Sequence, residues 1–113
     1  MLPLTEAFYY LLLTLYSGPA HGYGIMQEVE KMSLGRVVIG AGTLYTALNT
    51  LLKKGLIENA ANEIGADSRR KTYSITGHGR QVLLAEMDRM EELLRNGRKA
   101  TSGEAAQNHG DLH

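Results

Sequence analysis

The sequence predicts an α+β, mainly α fold: a winged helix-turn-helix with a C-terminal dimerisation helix. Three observations carry this reading. Residues 42–54 repeat apolar side chains at helical spacing and stop at Gly55. Two short alternating segments follow, about 56–62 and 70–75, joined by a turn whose far side carries Arg69, Arg70 and Lys71. After Thr76, Leu83, Met87, Met90 and Leu94 recur at the spacing of a coiled-coil seam.

Taken in order, the first helix is expected from about Thr5 to Tyr16, ended by Gly18-Pro19. Phe8, Leu11, Leu12 and Leu15 fall on one face. Tyr9, Tyr10, Leu13 and Tyr16 make a second apolar surface. A helix apolar nearly all round is buried on two sides, and in a chain this small the second side points to a partner subunit. His21-Gly22-Tyr23-Gly24 opens a second helix running to about Met32, with Ile25, Val29 and Met32 inward. A connecting loop occupies residues 33–42.

The third helix places Leu44, Ala47, Leu48, Leu51 and Leu52 on its buried stripe. Its opposite face presents Thr43, Thr46, Asn49, Thr50 and Lys53, with Tyr45 on one flank. Lys53 and Lys54 in the last turn suit the helix dipole. In the second strand Tyr73 and Ile75 alternate with Thr72 and Ser74. Thr76 is a natural N-cap for a fourth helix from Gly77 to about Asn96. The chain thus divides into a DNA-binding winged helix-turn-helix at 1–76, a dimerisation helix at 77–96 and a small, polar, disordered tail at 97–113.

At 113 residues this is one domain with a modest core. It has no cysteine, which excludes a disulfide framework and a thiolate metal site and fits a reducing, cytoplasmic setting. The apolar run 8–16 is too short to span a bilayer. Only Glu6 precedes it where a signal peptide needs positive charge, so no membrane partner is expected. Net charge is zero, yet between Arg36 and Arg80 seven basic residues face three acidic ones, a local +4.

Four stretches resemble the short PadR-type bacterial transcriptional regulators: LTEAFYYLLLTL, HGYGIMQEVE, GRVVIGAGTLYTALNTLLKKGLIE and DSRRKTYSITGHGRQVL. The resemblance runs from about Leu4 to Leu94. It implies a homodimeric repressor in which the third helix reads DNA, the wing touches the phosphate backbone, and helices one and four make the dimer. Members often respond to small aromatic or drug-like molecules, so an inducer is implied as a class. This chain has no tryptophan on its fourth helix, so stacking of a flat ligand between paired indoles is not available. Ala41 stands where a proline is common, which loosens the turn into the third helix.

The candidate DNA-binding residues are Thr43, Tyr45, Thr46, Asn49, Thr50, Lys53, Arg69, Arg70 and Lys71. Short polar side chains suit base edges in the major groove, and asparagine can pair donor and acceptor with adenine. Without a wing behind it, the same face would read as merely solvated. Tyr45 lies in the first turn, where a helix already favours an anion, and is assigned to phosphate. Consecutive strand residues point oppositely, so one or two of Arg69, Arg70 and Lys71 reach the backbone. Phe8, Leu83, Met87, Met90 and Leu94 are the candidate dimer interface.

His21, His78, His109 and His113 lack metal-ligand spacing, and no glycine motif carries a nucleotide fingerprint. No cofactor and no catalysis are expected. The expected partners are double-stranded DNA carrying a near-palindromic operator, a second copy of the chain, and an inducer. The competing readings are a winged-helix protein–protein module that binds no DNA, and a small-molecule-binding dimer that has lost its DNA role.

Overall fold

A computed structural model describes residues 3–60 and 71–107, with side chains to 103. The elements are α1 (Glu6–Tyr16), β1 (Ala20–His21), α2 (Gly22–Met32), α3 (Ala41–Lys53), β2 (Ile57–Asn59), β3 (Thr72–Ile75) and α4 (Gly77–Gln107). Two compact units divide between Leu83 and Leu84, inside α4.

In the first unit α1 starts at Thr5, whose Oγ1 accepts the Phe8 N–H at 3.1 Å. Leu11, Leu12 and Leu15 of α1 are buried with Ile25 and Val29 of α2 and Leu44, Leu48 and Leu51 of α3. The three helices enclose one core, closed on the sheet side by Leu56, Ile57, Tyr73 and Ile75. The helical periods of the sequence were sufficient for this, because each stripe needs only one partner face.

Gly55 ends α3 with φ 74°, in the left-handed region. The Leu56 N–H donates to Leu51 O at 3.0 Å and the Gly55 N–H to Leu52 O at 3.0 Å, the paired bonds of a Schellman cap. Strand order is β1-β3-β2, all antiparallel, with Ala20 opposite Tyr73 and Ile57 opposite Ile75. The third strand, β1, had no signal in the sequence: two residues are too few to show an alternation.

Thr76 joins the wing to α4. Its Oγ1 accepts the Gly79 N–H at 2.9 Å and donates to Gly55 O at 2.7 Å, while its own N–H donates to Leu56 O at 3.0 Å. Gly79 sits so close to this bend that a Cβ there would lie 2.0 Å from Leu56 O. Arg80 stacks over the Tyr16 ring, 4.6 Å from its centroid.

The second unit begins at Leu84 and continues α4 to Gln107, so residues 97–107 are helical and not the expected tail. Gly97 and Gly103 each cost the helix about 1 kcal/mol, but Lys99, Ala100, Glu104, Ala105, Ala106 and Gln107 are good helix formers and no proline intervenes. Thr101 Oγ1 also donates back to Gly97 O at 2.9 Å. Residues 108–113 lie outside the described residues.

Along this part of α4 Leu84, Met87, Leu93 and Leu94 are exposed and Met90 is half-buried. Glu86 is buried and takes a bidentate pair from Arg89 at 2.8 Å. Leu83 differs from the other seam residues: it belongs to the first unit's core and is 1% exposed. It is therefore removed from the expected dimer interface, because its side chain is already enclosed by its own chain.

Candidate nucleic-acid interface

The outer face of α3 is not one surface. Thr43, Tyr45, Thr46, Asn49 and Lys53 are exposed and Thr50 is half-buried, as the helical period requires. The start of α1 lies along one side of this ridge. There Thr5, Ala7 and Phe8 face Gly42, Thr43, Thr46, Ala47 and Thr50 across a groove of about 660 Å³. Phe8, expected at the dimer interface, is half-buried and lines this groove.

Two of the threonine hydroxyls are already engaged. Thr46 Oγ1 donates to Gly42 O at 3.0 Å and Thr50 Oγ1 to Thr46 O at 3.1 Å. Their protons are turned inward to the helix backbone, leaving an oxygen lone pair and a methyl for anything outside.

On the other side of the ridge Tyr45 and Asn49 border a second cleft of about 460 Å³ with His21, Gly22, Tyr23, Lys71 and Tyr73. Three elements meet here: the first turn of α2, the flank of α3 and the start of β3. The His21 imidazole caps α2, with Nδ1 accepting the Gly24 N–H at 3.3 Å. Gly22 permits the approach of α3: a Cβ there would stand 2.5 Å from the Tyr45 hydroxyl. Burial, and then the neighbouring Tyr45, push the Tyr73 hydroxyl above the usual tyrosine range, so it remains a protonated donor.

The structure brings Tyr45, Asn49 and Lys71 together and sets Thr43, Thr46 and Thr50 on the opposite groove. Lys53 is exposed at the end of α3. Arg69 and Arg70 lie outside the described residues. Sequence reasoning missed Tyr23 and Tyr73 as cleft residues. HGYG read as a helix start and Tyr73 as one of the alternating residues of a strand, and both are true. Only the pairing of Ala20 with Tyr73 brings them to one place.

The local positive charge is also smaller than its count. Arg36 is spent on Glu6, with its NH1 3.2 Å from Oε1 and its NH2 bonded to Oε2. That pairing holds the Glu6 carboxyl below its ordinary value and raises Arg36. Among the described residues, no helix is long and apolar enough to cross a membrane.

A model of the transcriptional regulator PadR-like family matches residues 11–85. An uncharacterized 37.1 kDa protein in transposon Tn4556 of Streptomyces fradiae is 34% identical over 83 residues, covering 74% of this chain and 22% of that protein. The chain thus spans about a fifth of the length of that curated relative. A transcriptional regulator from Clostridium thermocellum superposes with a TM-score of 0.68 at 26% identity, covering 82% of this chain and 87% of the other. Bacillus subtilis PadR in complex with operator DNA shares the fold, with a TM-score of 0.64 at 23% identity over 74% of this chain and 47% of that one.

Proposed function

The chain belongs to the PadR-like family of transcriptional regulators, and on that premise we propose that it binds duplex DNA as a symmetric dimer and represses the promoter it occupies. The observation that carries this is the exposed ridge of α3, with short polar side chains outward and donor-rich Tyr45, Asn49 and Lys71 beside it. Thr43, Thr46, Asn49 and Thr50 meet base edges; Tyr45, Lys53, Arg69, Arg70 and Lys71 hold phosphates.

Dimerisation rests on the apolar side chains Leu84, Met87, Leu93 and Leu94, exposed on α4 with Met90 between them. A coiled-coil-like seam covers such side chains with a second copy of the same helix. Two α3 ridges then enter successive major grooves about one helical turn, ~34 Å, apart on a near-palindromic site. A small molecule that favours a different spacing of the two ridges relieves repression. The protein works in the cytoplasm, where its DNA is.

The test is selection of bound fragments from genomic DNA, followed by affinity measurements across a salt series. Tight, specific binding that weakens steeply with salt is the expected result. No binding to any fragment would leave a protein–protein module as the better reading.

A further inference from the structure

α1 and α2 meet around a cavity that the DNA-reading ridge does not use. Its volume is about 420 Å³, within the roughly 300–1,000 Å³ usual for small-molecule sites. One wall is the last part of α1 and its cap, with Leu13, Thr14 and Ser17. The other is Gly24, Glu28 and Met32, four residues apart along α2 and so on one face. Pro19 and Ala20 close the end between the two helices. Among the described residues, none from α3 or α4 lines it.

Thr14 gives this cavity a chemical character. It is 9% exposed, and its Oγ1 is the one buried side-chain polar atom without a hydrogen-bond partner among the described residues. Other threonines within helices behave differently. Thr46, Thr50 and Thr101 each donate to the carbonyl four residues earlier. Thr14 makes no such bond, so its hydroxyl is not spent on its own helix backbone. A buried polar atom left unpaired is costly, and a ligand that pairs it removes that penalty.

The charges define the ligand. Glu28 is the only charged residue among those lining the cavity, and Arg80, over the Tyr16 ring, is not one of them. The carbonyl end of α1 adds partial negative charge, and no basic residue stands in its last turn. A protonated amine suits such a place, since it donates hydrogen bonds and accepts none. Leu13, Pro19 and Met32 offer apolar surface to the rest of the molecule. We propose that this cavity binds a small primary ammonium ion with an apolar body. Its charge lies beside the Glu28 carboxylate, and its N–H groups are shared between that carboxylate and the Thr14 and Ser17 hydroxyls.

The test titrates the full chain with hexylamine at neutral pH, where the amine is protonated, and follows the methyl resonances of Leu13, Thr14 and Met32 by NMR. Saturable shifts at these methyls are expected. 1-Hexanol and hexanoate, of the same length without the positive charge, should bind at least about tenfold more weakly. Glu28→Gln, at an exposed position, should raise Kd for hexylamine about tenfold by removing a charge-assisted bond. Thr14→Val keeps the shape without the hydroxyl and should also weaken binding, while its own Tm holds or rises because no partner is lost.

No saturable shift with hexylamine would overturn the proposal, as would equal affinity for 1-hexanol. So would wild-type affinity in Glu28→Gln or in Thr14→Val. A fall in the Tm of Thr14→Val would show that the hydroxyl serves the fold, and would overturn it too. Binding is read on the protein alone, so failure to bind any duplex would remove the DNA-binding reading and leave this site standing.

Discussion

Replacing Thr76 by alanine should cost about 2 kcal/mol, because one hydroxyl holds two turns of chain together. Its oxygen accepts the Gly79 N–H at 2.9 Å, an N-cap bond worth about 1 kcal/mol. Its proton goes to Gly55 O at 2.7 Å, a carbonyl at the end of α3, for about 1 kcal/mol more. Near the midpoint, 1 kcal/mol moves Tm by roughly 4–8 °C in a domain of this size. A fall of about 10 °C is therefore expected, read by thermal unfolding followed by circular dichroism. Thr76→Ser keeps both bonds and should recover most of the loss. Thr76→Val keeps the shape without the bonds and should behave like the alanine variant. A Thr76→Ala protein within about 1 °C of the wild type would refute the idea that this hydroxyl joins α3 to α4.

Gly79→Ala should be more damaging, on the order of 3 kcal/mol or above, since the added Cβ meets the rigid Leu56 carbonyl at 2.0 Å rather than a side chain that can turn away; chemical denaturation measures it. The Glu6–Arg36 pair depresses the Glu6 pKa in the folded state, so its contribution is fully present above the unfolded carboxylate value and is lost as pH falls through the folded value. The stability difference between wild type and Arg36→Gln should accordingly vanish in acid, and should shrink in high salt because both groups are exposed. Met87→Glu with Met90→Glu should yield monomers in sedimentation at concentrations where the wild type is dimeric. Asn49→Ala should relax preference at one base pair, by about 1–3 kcal/mol of discrimination, whereas Thr46→Val should cost less, because it keeps the methyl and removes only an acceptor lone pair, the Thr46 proton being already bound to Gly42 O; both are read by selection on randomised duplexes.

What could be read from the chain was what its neighbours in sequence decide. The α3 stripe, the Gly55 stop and the Thr76 cap each depend on residues within about one turn, and each stands where expected. The β1 strand was invisible, since Ala20 and His21 extend only because Thr72 and Tyr73, some fifty residues on, pair with them. Leu83 fits the seam pattern as well as Met87 does, and periodicity alone cannot say which apolar residue the chain's own core will enclose. The end of α4 was misjudged for a different reason. Small polar residues were read as a tail, although helix propagation needs only tolerable propensity and no breaker.

The division of the α3 face bears on how a protein with no net charge both finds and reads a site. Of the basic residues between Arg36 and Arg80, Arg36 is neutralised by Glu6 and Arg80 is laid over Tyr16. The Arg36 pairing lowers the long-range attraction, while Arg80 keeps its charge over the ring, and position on the duplex still has to come from short, directional bonds. The cleft on the α2 side places Tyr45, Asn49 and Lys71 beside the ridge. The ridge itself offers methyls and lone pairs from Thr46 and Thr50, and the exposed amide of Asn49. Such groups discriminate bases only when held within a few tenths of an ångström of their partners.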